Sequence, residues 1–141
     1  MDADPPDLSA RVDSAGVSLP TRGNRKLEKL LAAANSDGEL RARWYMQQVT
    51  SERLGMSDHS RVHIQIVANI ALRMLRLAER AGIPLNMVTD HGMSARDSEV
   101  VVTAGAFLHD TGMSIHRADH EAYSLFLAER KLRELLSLIH I

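Results

Sequence analysis

The sequence predicts an all-α fold, a single helical bundle of about five helices, and three observations carry that expectation. Apolar residues recur at three- and four-residue spacing rather than in alternation. Three of those periodic runs follow a residue able to cap a helix, and glycine or proline closes the clearest of them. The 141 residues suffice for one domain, whose core would remove about 70% of the unfolded chain's surface from water. Aromatic residues make up only 4% of the chain, so aliphatic side chains and methionine must fill that core.

Residues 1–22 carry Pro5, Pro6, Gly16 and Pro20 without an apolar period, and are expected to be a disordered lead. The helical domain is expected over 23–135. Its first helix covers 24–34, with Leu27, Leu30, Leu31 and Ala34 on one face. Asn35-Ser36-Asp37-Gly38 breaks it, and Asp37 caps a second helix reaching Arg53. A third helix is predicted over 59–81, with Ser57 or Asp58 as its cap. Val62, Ile66, Val67, Ile70, Met74, Leu77 and Ala78 form its expected inward stripe, and Arg61, Gln65, Arg73, Arg76 and Arg80 lie off it. Gly82 and Pro84 end it, and 83–93 reads as irregular. Ser94 opens a fourth helix, with Asp97 where the second half of a capping box belongs. From Val100 to Leu108 this helix is apolar nearly all round, which predicts the buried centre of the bundle, with Gly112 as its stop. A fifth helix starts near Ala118 and continues past Leu135. The last six residues, 136–141, are one translation of a transposon-end adapter used in sequencing libraries. They are expected to be a non-native tail on a domain whose own sequence continues further, so His140 is left out of the site.

Charge and composition narrow the function classes. Seventeen basic residues against eighteen acidic ones give no nucleic-acid or membrane-surface footprint. Without cysteine there is no disulfide, thiolate ligand or cysteine nucleophile. No apolar run is long enough for a membrane span, and the N-terminus lacks the basic-then-apolar order of a signal peptide, so a soluble cytoplasmic protein is expected.

The residues that can carry chemistry are histidines. His59 and His63 stand four apart, as do His116 and His120, and His109-Asp110 closes the apolar fourth helix. Residues four apart share a helix face and can approach one ion. Adjacent residues such as His109 and Asp110 can meet one ion only where a helix is ending, which Thr111-Gly112 supplies. Gly105, one turn before His109, would leave room for the third helix to come close. A core histidine hydrogen-bonded to a carbonyl, or a solvated loop aspartate, would leave the same pattern. His91, in the irregular connection, reads as structural or substrate-proximal rather than as a ligand.

Two segments together resemble the HD superfamily of metal-dependent phosphohydrolases. They are Asp58-His59-Ser60-Arg61-Val62-His63 with Ile66-Val67-Ala68, and Ala106-Phe107-Leu108-His109-Asp110-Thr111-Gly112. The resemblance covers about 55–135. It implies a divalent ion on His63, His109 and Asp110, with His59 as an extra ligand or an acid/base group. His116 and His120 match the histidines that some members add for a second ion, with Asp110 as the bridge. Arg117 would neutralise a phosphate, and the substrate would be a nucleotide-like phosphomonoester or phosphodiester cleaved by a metal-activated water. Manganese, iron, nickel, cobalt, zinc and magnesium all suit such donors. Two departures stand out: Met113 replaces the lysine that many members carry, and residues 121–135 contain no aspartate to serve as the last ligand. The competing expectation is an inactive module of the same fold that binds nucleotide or protein. A DNA-binding helical domain is disfavoured by the neutral charge.

Overall fold

The computed structural model describes residues 16–139, and among them every regular element is helical. Helix α1 spans Arg25–Ser36, α2 Gly38–Arg53, α3 Arg61–Arg80, α4 Asn86–Thr89, α5 Ala95–Leu108 and α6 His120–Ile139. A 3-10 turn over Thr111–Ser114 joins α5 to the loop before α6. The all-α expectation therefore holds. The single turn α4 is an addition within the stretch read as irregular.

Local chemistry explains the helix starts. Asn24 Oδ1 accepts from the Leu27 amide, and Asp37 Oδ1 accepts from Leu40 at 2.9 Å. Ser94 and Asp97 form the full reciprocal capping box. At α3 the cap is Ser60, two or three residues later than expected. Asp58 instead accepts from the Ser60 amide and hydroxyl at 2.7 and 2.9 Å, so it holds the capping serine. His59 consequently lies ahead of the helix, not one turn before His63 on it.

Helix α5 is the hub, packed against α1, α3, α4 and α6. Val100, Thr103, Ala104, Ala106, Phe107 and Leu108 are buried, while Val101 and Gly105 reach solvent, so its burial is one-sided rather than all round. Trp44 of α2 packs edge-on against Phe107, and its indole N–H donates to the Phe107 carbonyl at 2.9 Å. That bond satisfies a carbonyl which the end of α5 leaves without an intrahelical partner.

Three further expectations are corrected. On α3 the buried line is Ile64, Ala68, Leu72 and Arg76, while Val62, Ile66, Ile70, Met74 and Leu77 are about half or more exposed. Both lines repeat every four residues, so periodicity alone selects neither, and the face opposite α5 carries the larger aliphatics. Arg76 can be buried because Glu99 of α5 meets it at 2.6 Å. The expected disordered lead is ordered from residue 16 onward: Val17 and Leu19 enter the core, Asn35 exchanges two hydrogen bonds with Val17, and Gln65 accepts from Ser18. Residues 1–15 of that lead lie outside the described residues. Finally, Gly105 has no atom near the position a Cβ would take, so it makes no room for α3. Residues 136–139 of the expected tail continue α6, with Ile139 buried, and His140 and Ile141 lie outside the described residues.

Candidate metal centre

Helix α5 ends at Leu108, and the chain turns through His109 and Asp110 into the 3-10 turn. Thr111 Oγ1 donates back to the Leu108 carbonyl at 2.8 Å, which fixes the turn. Gly112 is buried, and its role differs from the expected helix stop. A Cβ there would collide with the His120 carbonyl, the Ser124 amide and the Tyr123 side chain. Only glycine lets the first turn of α6 lie this close, and the Gly112 amide donates to Ser124 Oγ at 2.8 Å. From α2, Arg43 donates to Ser114 Oγ and Thr50 to the Met113 carbonyl, pinning the far side of the turn.

This packing brings three imidazoles around one carboxylate. Asp110 Oδ2 lies 3.0 Å from His109 Nε2 and 3.5 Å from His63 Nε2, while Oδ1 lies 3.4 Å from His120 Nε2. Donor atoms of His63, His109 and Asp110 all fall within 4.8 Å of one another, a group that could hold a metal ion. Two donors at about 2.1 Å from an ion and 90–110° apart would lie roughly 3.0–3.4 Å from each other, close to the 3.0 and 3.5 Å that separate Asp110 Oδ2 from the two imidazole nitrogens.

The ring nitrogens facing away from Asp110 are held from behind. His109 Nδ1 lies 2.8 Å from the Ala106 carbonyl, an acceptor that fixes the tautomer and leaves Nε2 for the site. His120 Nδ1 has two acceptors within reach, the Arg117 carbonyl and Glu121 Oε2 at 3.1 Å, and one donor, the Arg117 guanidinium at 2.9 Å, while its Nε2 faces Asp110. His59 Nδ1 is taken by the Ser57 carbonyl at 2.7 Å. Rings of His59 and His63 lie 5.0 Å apart, and those of His63 and His109 5.5 Å apart.

Burial and charge pull these groups in different directions. Burial lowers the His63 pKa, helped by the charges of His109 and His59 against the opposing pull of Asp110. His63 Nε2 is buried with no hydrogen-bond partner among the described residues. The hydrogen bond with Asp110 raises His109, overcoming the effect of burial. Burial pushes the Asp110 carboxyl up, but the His109 hydrogen bond and the charges of His109, His59 and His120 outweigh it and keep the group below its usual range.

The structure thus joins His63, His109, Asp110 and His120, with His59 alongside. His116 is not among the converging donors: it is exposed, and its Nδ1 accepts from the Ala118 amide. The Arg117 guanidinium reaches His120 Nδ1 at 2.9 Å, placing its charge at the rim. His91 is exposed beside Asp90, away from the centre. Met113 is 1% exposed, a packing residue rather than a contact to anything in solvent. Asp58 and Ser124 are positioning residues that the sequence reading did not assign to the site. From the sequence Asp58 reads only as a helix cap, and Ser124 gives no local signal.

No protein-family model matches the chain, and no solved structure matches it. Over 76 residues it is 45% identical to the uncharacterized protein MJ1020 of Methanocaldococcus jannaschii, an alignment covering 54% of this chain and 29% of that relative. The chain therefore spans less than a third of the relative it matches. No helix among the described residues is long and apolar enough to cross a membrane.

Proposed function

We propose that this chain carries the metal centre of a phosphohydrolase of the HD type, acting on a nucleotide-like phosphomonoester or phosphodiester. The observation that supports this reading best is the unpartnered, buried Nε2 of His63 beside two other donors at ligand spacing. A buried nitrogen without a partner is costly, and a cation would supply what the protein omits. His63, His109 and Asp110 would hold the ion, with His120 on the second oxygen of Asp110. Such an ion supplies Lewis acidity and a water acidified toward neutral pH. Around it, His59 keeps one ring nitrogen free for proton transfer, and Arg117 offers positive charge for a phosphoryl oxygen. A soluble, cytoplasmic enzyme is part of the proposal.

Metal analysis after equilibration with manganese, nickel, cobalt or zinc tests the reading, together with hydrolysis assays on nucleotides and bis-nitrophenyl phosphate. Asp110→Asn and His109→Ala are expected to lower metal affinity by more than the roughly 10–100-fold typical of losing an outer-shell partner. Absence of metal and of hydrolysis, with both variants behaving like the parent, would sink it. A second reading, an inactive module that binds nucleotide or protein, is favoured by one observation. The α6 carboxylates beyond Glu121 are engaged elsewhere, Glu129 by Arg133 and Glu134 by Lys131, leaving no further acidic ligand on that helix. Metal binding without hydrolysis would select it.

A further inference from the structure

A second polar region lies on α3, well away from the histidines. Arg73 is ten residues beyond His63, about 15 Å along the helix axis. Here the segment Pro20–Arg22 and the outer face of α3 enclose a groove of about 490 Å³. That volume falls within the range of small-molecule sites, roughly 300–1,000 Å³. Four arginines line it: Arg22, Arg73, Arg76 and Arg80, with Ile70 and Leu77 as apolar wall.

The arginines are unevenly satisfied. Arg76 forms the floor, held by Glu99 at 2.6 Å, and its Nη2 is buried with no hydrogen-bond partner. Arg22, Arg73 and Arg80 have no carboxylate partner among the described residues. Among the described residues other acids near this groove are few: Glu99 is already committed to Arg76 and Asn24, and Glu79 lines the adjoining hollow beyond Arg22. Three free guanidinium groups facing one concavity repel one another unless an anion sits between them. Arg22 adds an independent sign. Its backbone is left-handed, φ 50°, followed by Gly23 at φ 72°. Glycine or asparagine suits that conformation, whereas arginine there is uncommon and strained.

We propose that this groove binds a small soluble molecule bearing two or more phosphate groups, gripped by Arg22, Arg73 and Arg80 over the fixed charge of Arg76. Guanidinium forks match phosphate oxygens bidentately, and several of them favour a polyphosphate over a single anion. A nucleic acid fits less well. The arginines converge on one concavity rather than forming a stripe, and the chain as a whole carries a formal charge of −1.

Calorimetric titration of the whole chain with inorganic tripolyphosphate, in the presence of a chelator that removes divalent ions, tests this. One site per chain is expected, with orthophosphate at least about tenfold weaker. Arg73→Gln combined with Arg80→Gln should weaken binding by a further order of magnitude, while His63→Ala leaves it unchanged. Arg22→Gly is the sharpest variant, because relief of backbone strain should leave the melting temperature equal or higher while binding falls. No binding, binding indifferent to the arginines, or loss on His63→Ala would overturn the proposal. So would tighter binding of a twelve-residue oligouridylate or of vesicles rich in anionic lipid.

Discussion

Two clusters of buried charge sit along one face of α6, at His120 and about three turns further on at Lys131, and they are built on opposite principles. At one, Lys131 is 5% exposed and gives its ammonium to Asp37, Glu39 and Glu134 at 2.8, 3.0 and 2.6 Å. Its three donors have three carboxylate partners, and these hydrogen bonds raise its pKa against the effect of burial. At the other, the Asp110 carboxylate is shared among three imidazoles, and His63 Nε2, 3.5 Å from it, makes no hydrogen bond among the described residues. The first cluster is complete without any ligand, and it ties α6 to the residue that ends α1 and caps α2. The second leaves one buried nitrogen without a hydrogen bond among groups that could hold an ion. Pairing that closes on itself suffices for a structural role, whereas an open valence among good donors is what a candidate site offers.

The contrast can be broken most forcefully at Gly112. Replacing it with alanine forces the first turn of α6 away from the 3-10 turn, with a loss of roughly 2–3 kcal/mol by urea denaturation. His120 moves with that turn, so metal affinity should fall in the same variant. Stability and affinity both unchanged would show that the close approach of Gly112 does not build the site.

Lys131→Met should remove about 2 kcal/mol of stability, because three carboxylates lose their common partner inside the fold. Metal affinity at the histidines should stay within about twofold. A parallel fall in affinity would erase the distinction between the clusters.

The smallest effect is a pH dependence. Hydrogen bonds from Arg43 and then Lys131 hold the Glu39 carboxyl down to about 2, against a burial effect in the other direction. A carboxyl depressed in the folded state stabilises fully above its ordinary value of 4.5, and that contribution fades as pH falls toward about 2. Glu39 is about one-third exposed, so solvent screening reduces the effect to about 1 kcal/mol. Denaturation midpoints between pH 5 and 2.5 should therefore fall more steeply in the parent than in Glu39→Gln. Equal slopes would show that the pairing adds nothing.

Much of the fold was legible because its helix boundaries are set by local chemistry. Asp37, and Ser94 with Asp97, act where their side chains reach neighbouring amides, and a reader of the sequence can see that reach. The orientation of α3 was hidden for the opposite reason. Two apolar lines repeat along it every four residues, and only contact with α5 decides that Ile64, Ala68 and Leu72 turn inward. At the site, His63, His109 and Asp110 were visible as residue types at helix edges. What brought His120 to Asp110 was not, since the need for glycine at Gly112 arises from α6, eight or more residues downstream. Val17 and Leu19 were missed because two apolar residues in an otherwise polar lead carry no period, and Asn35 and Gln65 supply the partners from afar.

Trp44, the single tryptophan, is 2% exposed and hydrogen-bonded to the carbonyl of Phe107, two residues before His109. An indole in that position emits at a wavelength set by one dry pocket and one hydrogen bond. Any event that shifts the end of α5 stretches that bond or admits water, and changes the colour and yield of the emission. The chain thus carries its own optical gauge beside the His-Asp doublet, readable in solution without a label.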